Sequence, residues 1–205
     1  FNLEKVANEI SNEMGSSTFR ELCYSHENFL HKLEINKYLS PKLLDLAKKM
    51  FNYKGDIKNQ YHIARKVHSG NSNEMFRAHF DSHLFTLVLP LKIPLFSEQG
   101  KSGELIYFPN IRVAPKNEII NIIQKVYYKR YASKEGIDKL SSLKKKFIEN
   151  FENYQPMLFF GKTTLHTNYP VLLSNNSFRL TLLAHFFDDS PKYGVGSFLR
   201  LLRKR

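Results

Sequence analysis

The order of local patterns along the chain predicts an α+β fold, a β-barrel or sandwich core with a helical flank. Three observations predict it: helical spacing of apolar residues up to about residue 55, strand-like runs between 61 and 188, and a second helical stretch at 115–151 that interrupts them. The 205 residues suit one domain. It is expected to span 1–205, with a helical flank at 1–55, a β core at 61–188 carrying the insertion, and a basic tail at 190–205.

Each element has its own signal. Thr18 and Glu21 form a capping box, followed by Leu22, Phe29, Leu30 and Leu33 at helical spacing. Ser40-Pro41 supplies an N-cap and a first-turn proline for a helix over 41–52, with Leu43, Leu44, Ala47 and Phe51 on its apolar face. Strands follow at 61–67 and 76–81, separated by a loop containing Gly70, Asn71, Ser72 and Asn73. The run 84–93 is strand-like, and Pro90 predicts an edge or a bulge near its end. A short strand at 103–109 lies between Gly103 and Pro109. In the insertion, Ile119, Ile123 and Val126 form one helical stripe and Leu140, Leu143 and Phe147 another, with Gly136 as a break. Strands resume at 157–160, 163–173 and 178–187, and Ser174-Asn175-Asn176-Ser177 reads as a tight hairpin turn.

Composition narrows the classes. The only cysteine, Cys23, excludes an intrachain disulfide and any cysteine-cluster metal site; a buried, inert thiol in a reducing compartment is expected. No apolar run reaches the length of a bilayer span, so a cytoplasmic protein without a transmembrane segment is expected. Because the chain opens on Phe1, a preceding segment, with any targeting signal, is expected upstream. The net charge of +12 implies an anionic partner or a solvated lysine-rich surface, with equal weight on charge alone.

The chemistry begins at His79-Phe80-Asp81. On a strand, positions i and i+2 share a face, so the imidazole and carboxylate converge while Phe80 turns away. Taken alone, the tripeptide is a weak signal and fits a hydrogen-bonded surface pair better. His166, in a strand-like run, is the natural third ligand. Arg179 and Thr181 share one face of an otherwise apolar strand. A guanidinium placed there needs an anion, either an internal carboxylate such as Asp188 or Glu104 or the carboxylate of a bound acid.

In this order, His79-x-Asp81, His166 and Arg179-x-Thr181 resemble the signature of the iron(II)- and 2-oxoglutarate-dependent dioxygenases. The resemblance covers roughly 61–188, including the strand 103–109 and the phenylalanine-rich approach to His166. It implies a double-stranded β-helix, jelly-roll or cupin-like, with eight strands in two facing sheets open at one end. It implies iron(II) on His79, Asp81 and His166 as the catalytic centre, 2-oxoglutarate as cosubstrate with its distal carboxylate on Arg179 and Thr181, dioxygen, and hydroxylation of a C–H bond. It also implies that the turn at 174–177 crosses between sheets.

Other polar residues rank lower. His83 fits a loop, His185 a satisfied interior position, and Tyr61 and Arg65 share a face from which either reaches cosubstrate or substrate. The expected substrate is an anionic small molecule or glycolipid, an acidic sugar being favoured; hydroxylases of the sugar Kdo on lipid A are similar in basic character. Two other classes stay open: a nucleic-acid- or nucleotide-modifying oxygenase, and a non-catalytic cupin-like binder of metal or small acids. No helix-turn-helix, RNA-recognition or zinc pattern accompanies the charge. The end of the chain, with Phe198, Leu199, Leu201 and Leu202 among four cations, suits either peripheral contact with an acidic membrane surface or packing on the core.

Overall fold

The computed structural model describes residues 3–17, 19–21, 34–69, 75–94, 102–172 and 178–190. Two helices open the chain. Helix α1 (Leu3–Met14) buries Ala7, Ile10 and Met14, one stripe at helical spacing. Helix α2 (Ser40–Phe51) buries Leu43 and Ala47 and stops where Asn52 turns left-handed at φ 51°. Ser40 does not cap it. A π-helical turn, Ile35–Leu39, runs straight into α2, and the Ser40 hydroxyl donates back to the Ile35 carbonyl at 3.3 Å.

Among the described residues eight strands, the first of them between α1 and α2, form two antiparallel sheets. They are β1 (Phe19–Glu21), β2 (Gln60–His68), β3 (His83–Lys92), β4 (Leu105–Phe108), β5 (Phe147–Glu149), β6 (Met157–Phe160), β7 (Leu165–Asn168) and β8 (Phe178–Asp188). The larger sheet runs β1-β2-β8-β3-β6 and the smaller β5-β4-β7. Residues around His79 extend the smaller sheet beside β7 through a single bridge to His166. Helices α3 (Glu118–Lys129) and α4 (Lys134–Leu143) lie between β4 and β5 in the chain. The result is the expected α+β double-stranded β-helix with N-terminal helices and a helical insertion.

Period-2 alternation sorts each strand between two environments. Along β8, Leu180, Leu182, Ala184 and Phe186 join α1, α2 and alternate residues of β3 (Phe85, Leu87, Leu91) in the main hydrophobic cluster. The intervening Arg179, Thr181, Leu183 and His185 face a cavity between the sheets. Behind the smaller sheet, Ile106, Phe108 and Leu165 pack with Phe80, Tyr131, Ile137 and Leu140. The cavity is therefore walled by the inner faces of both sheets, and each outer face has its own apolar layer.

Several local expectations are corrected. Glu21 does not close a capping box on a helix: residues 19–21 pair with β2, where Glu21 is opposite Ile63. The stretch 76–81 is not a regular strand, its only ladder contact being the bridge at His79. The insertion is helical only to Leu143; Phe147 lies in β5, its ring stacked on Tyr107 at 5.4 Å. Gly136 is inside α4, and the break is the turn before it. A Cβ on Gly136 would come within 2.7 Å of the Tyr131 backbone, so glycine lets that turn close against the helix. The stripe of Ile119, Ile123 and Val126 faces outward, and Leu143 is exposed as well. Pro90 does mark a register shift, between Pro90 and Lys92. The described strands before and after residues 174–177, β7 and β8, lie in opposite sheets and do not pair as a hairpin. Thr18, Leu22, Cys23, Phe29, Leu30, Leu33, the 70–73 loop, the 174–177 turn and the tail from 191 lie outside the described residues.

Candidate metal centre and its cavity

His79 and His166 are 87 positions apart in sequence yet share a reciprocal pair of backbone hydrogen bonds, each N–H donating to the other's carbonyl at 3.1 Å. Their rings meet with centroids 4.4 Å apart. Asp81 is held by its own N–H, which donates to the Gly161 carbonyl at 3.0 Å. One ligand atom from each of His79, Asp81 and His166 lies within 4.8 Å of the others. Nε2 of His79 is 3.7 Å from Asp81 Oδ1, and Nε2 of His166 is 3.8 Å from Oδ2. These separations are too long for hydrogen bonds, but lie within the roughly 4 Å that one ion bonded at about 2.1 Å to each ligand can bridge.

The remaining ring nitrogens have partners that fix their tautomers. Nδ1–H of His79 donates to the Arg77 carbonyl at 2.7 Å, and Nδ1–H of His166 to the Thr164 carbonyl at 3.3 Å. Each ring thus keeps its Nε2 lone pair turned toward Asp81, the arrangement a metal-ligating histidine needs. Burial opposes ionisation of Asp81. The surrounding His166, His185 and His79, with a hydrogen bond from Thr86, outweigh it and hold the carboxyl well below the usual carboxylate range. The donor set and its orientation fit a divalent transition metal of the kind that takes two imidazoles and one carboxylate.

Thr86 and Gly161 complete the support, and neither was among the residues singled out in the sequence. The Thr86 hydroxyl donates to Asp81 Oδ2 at 2.5 Å and is 3.1 Å from Nδ1 of His185, whose N–H donates to it. The one available signal was a lone polar side chain within the apolar run of β3. Thr86→Val keeps the shape and removes the hydroxyl. It is expected to weaken divalent-metal binding about 10- to 100-fold by calorimetric titration while the fold is retained. Gly161 is needed for space: a Cβ there would come within 2.7 Å of the His83 carbonyl and 2.9 Å of both Asp81 Cβ and Thr86 Oγ1. Gly161→Ala is expected to push Asp81 off its position and weaken metal binding at least about tenfold; an unchanged titration would contradict this role.

Arg179 and Thr181 face the same cavity as the three ligands. Both are buried. Arg179 Nη1 donates to the Gly103 carbonyl, and its Nε is buried without a partner among the described residues. Burial and the nearby Arg65 push its guanidinium down to about 9, while Glu104 opposes the shift. Neither anticipated internal partner pairs with it. Glu104 forms no ion pair with Arg179 and leaves its own Oε2 buried and unpartnered, and Asp188 lies opposite His83 at the far end of β8. Arg65 also lines the cavity, opposite Thr181 in the β2–β8 ladder.

The other sequence candidates fall as follows. His185 is buried and hydrogen-bonded, a satisfied interior residue as expected. His83 opens β3 instead of sitting in a loop, and it lies outside the three-ligand group. Tyr61 stacks on His83 and His185 with centroids 6.3 and 6.1 Å away, a ring cluster beside the cavity.

No protein-family model and no curated protein matches the sequence. Among solved structures, the chain is similar to a prolyl-4-hydroxylase of Pseudomonas putida, at 12% identity over 90% of this chain and 84% of that one, with a TM-score of 0.48. A prolyl 4-hydroxylase of Phytophthora capsici is 11% identical over 98% of this chain and 73% of that one, TM-score 0.42. SnoK, a non-heme alpha-ketoglutarate-dependent carbocyclase from nogalamycin biosynthesis, is 9% identical over 96% and 80%, TM-score 0.49.

Proposed function

We propose that the chain is an iron(II)- and 2-oxoglutarate-dependent oxygenase that hydroxylates a C–H bond of an anionic substrate, an acidic sugar or lipid-linked glycan being favoured. The reading rests on one observation: a two-histidine, one-carboxylate set and a buried, incompletely partnered guanidinium open onto the same cavity. His79, Asp81 and His166 would hold the iron. Bound iron, with 2-oxoglutarate and dioxygen, supplies the oxidising chemistry.

The chain's own residues supply placement. Thr86 fixes one oxygen of Asp81, and the Arg77 and Thr164 carbonyls set the two imidazoles. Arg179, whose Nε has no partner among the described residues, would take the distal carboxylate of 2-oxoglutarate in a charge-assisted hydrogen bond, and the Thr181 hydroxyl would add a second. Ile63, Val88, Leu105, Phe151 and Leu183 line the remaining wall and give this charged corner an apolar flank. A metal store has no use for the Arg179–Thr181 pair, which favours the enzyme over a non-catalytic barrel. Arg65 is a second guanidinium in the cavity, and with the net charge of +12 it favours an anionic substrate.

The test is anaerobic loading with ferrous iron and 2-oxoglutarate, then admission of air and measurement of succinate by mass spectrometry. Succinate formation that needs both iron and oxygen is the expected result. Absence of succinate together with absence of 2-oxoglutarate binding to the iron-loaded protein would sink the assignment.

A further inference from the structure

Helix α3 is turned inside out. Its polar and aromatic side chains face the protein: Gln124 accepts from Arg112 Nη1 at 3.2 Å, the Tyr128 hydroxyl donates to the Ile111 carbonyl at 3.1 Å, and the Tyr128 ring packs edge-on against Phe80 at 5.1 Å. Most of its apolar side chains face outward, Ile122 being half-buried. Ile119, Ile123 and Val126 are 64%, 62% and 67% exposed, Tyr127 is 50% exposed and Ile120 adds to the same face. An amphipathic helix on a globular protein normally shows the reverse arrangement, and a contiguous apolar patch of this kind marks a contact surface.

The charges around the stripe identify what covers it. Lys116 precedes the helix and Lys129 and Arg130 end it, all three exposed, and the Arg130 guanidinium lies 3.7 Å over the Tyr127 ring. Residues 115–151 hold nine lysines and arginines against four carboxylates. A second copy of the chain packed on this stripe would set cations against cations whichever way the helices ran. An anionic bilayer accepts both parts: the isoleucines and valine enter the acyl boundary, the tyrosine sits at headgroup level, and the basic rim meets lipid phosphates.

We propose that the outward face of α3 docks the protein on an anionic membrane surface. The proposal is independent of the metal reading. It differs from contact through the basic tail, because it places the contact on the helix packed behind Phe80, the residue between His79 and Asp81.

The test is sedimentation of the full chain with vesicles of phosphatidylcholine alone and of phosphatidylcholine mixed with phosphatidylserine. Binding to the mixed vesicles alone, weakening as salt rises, is expected. I119S/I123S/V126S should reduce that binding about tenfold or more, and K116E/K129E should reduce its salt dependence. All five side chains are exposed, so both variants keep the parent's circular dichroism spectrum and melting temperature. A chain ending at Ser197 should bind like the parent. The proposal is overturned if the parent ignores the mixed vesicles, if the triple variant binds as well as the parent, or if only the truncation removes binding. It is equally overturned if light scattering shows a dimer that the triple variant dissociates, because a second copy would then own the face.

Discussion

Asp81→Ala is expected to abolish stoichiometric binding of ferrous iron, and His79→Ala or His166→Ala to do the same, each without unfolding the domain. Asp81 is the one acid among the described cavity walls. Without it two neutral imidazoles remain, with no charge to offset a divalent cation. Loss of either histidine leaves a single imidazole with the carboxylate. Loss of one supporting partner alone costs 10- to 100-fold in affinity, and loss of a ligand costs more. The fold is spared because the apolar layers on the two outer faces do not include the three side chains. Anaerobic titration with ferrous iron, with far-ultraviolet circular dichroism on the same samples, checks the expectation. Retention of one tightly bound iron by the Asp81 variant would remove Asp81 from the ligand set.

On the proposed function, Arg179→Ala is expected to raise the 2-oxoglutarate requirement strongly while iron binding is unchanged. Truncating one partner of a buried charge-assisted pair costs about 2–5 kcal/mol, which is tens to thousands of fold in apparent affinity. Thr181→Val loses one neutral hydrogen bond, about 1 kcal/mol, and should shift the requirement only a few fold. The two effects separate because Arg179 is buried, and a guanidinium already destabilised by burial gains most from an anion. Succinate formation as a function of 2-oxoglutarate concentration measures both. Identical curves for the Arg179 variant and the parent would show that the guanidinium serves the protein alone.

The cavity-facing residues were legible because their chemistry sits on short-range geometry. Arg179 and Thr181 stand out as polar positions in an apolar run, and strand alternation puts both on one face. His79 and Asp81 were found although their segment forms only one bridge. Thr86 and Gly161 were not found. Thr86 matters through a contact to Asp81, and Gly161 through the approach of the His83 carbonyl, neither of which leaves a local pattern. The same limit explains α3. Its periodicity was clear, but periodicity defines a face and not which way the face turns, and here the polar side went inward. It also explains residues 19–21, where pairing with β2 overrode a capping signal that three local residues cannot enforce.

The reciprocal hydrogen bonds between His79 and His166 close a chain loop of 87 positions that contains the whole insertion. The entropy of closing a flexible loop grows only with the logarithm of its length, about 0.6 kcal/mol per doubling. The insertion can therefore lengthen or shorten at its turns with little effect on the distance between the two imidazoles. The surface that α3 presents is free to vary while the ligand spacing is kept. The clip also ties assembly to occupancy: an ion that binds only the closed chain pulls it shut by mass action. The melting temperature should therefore rise with ferrous concentration, and chain segments far apart in sequence should become protected from amide exchange together.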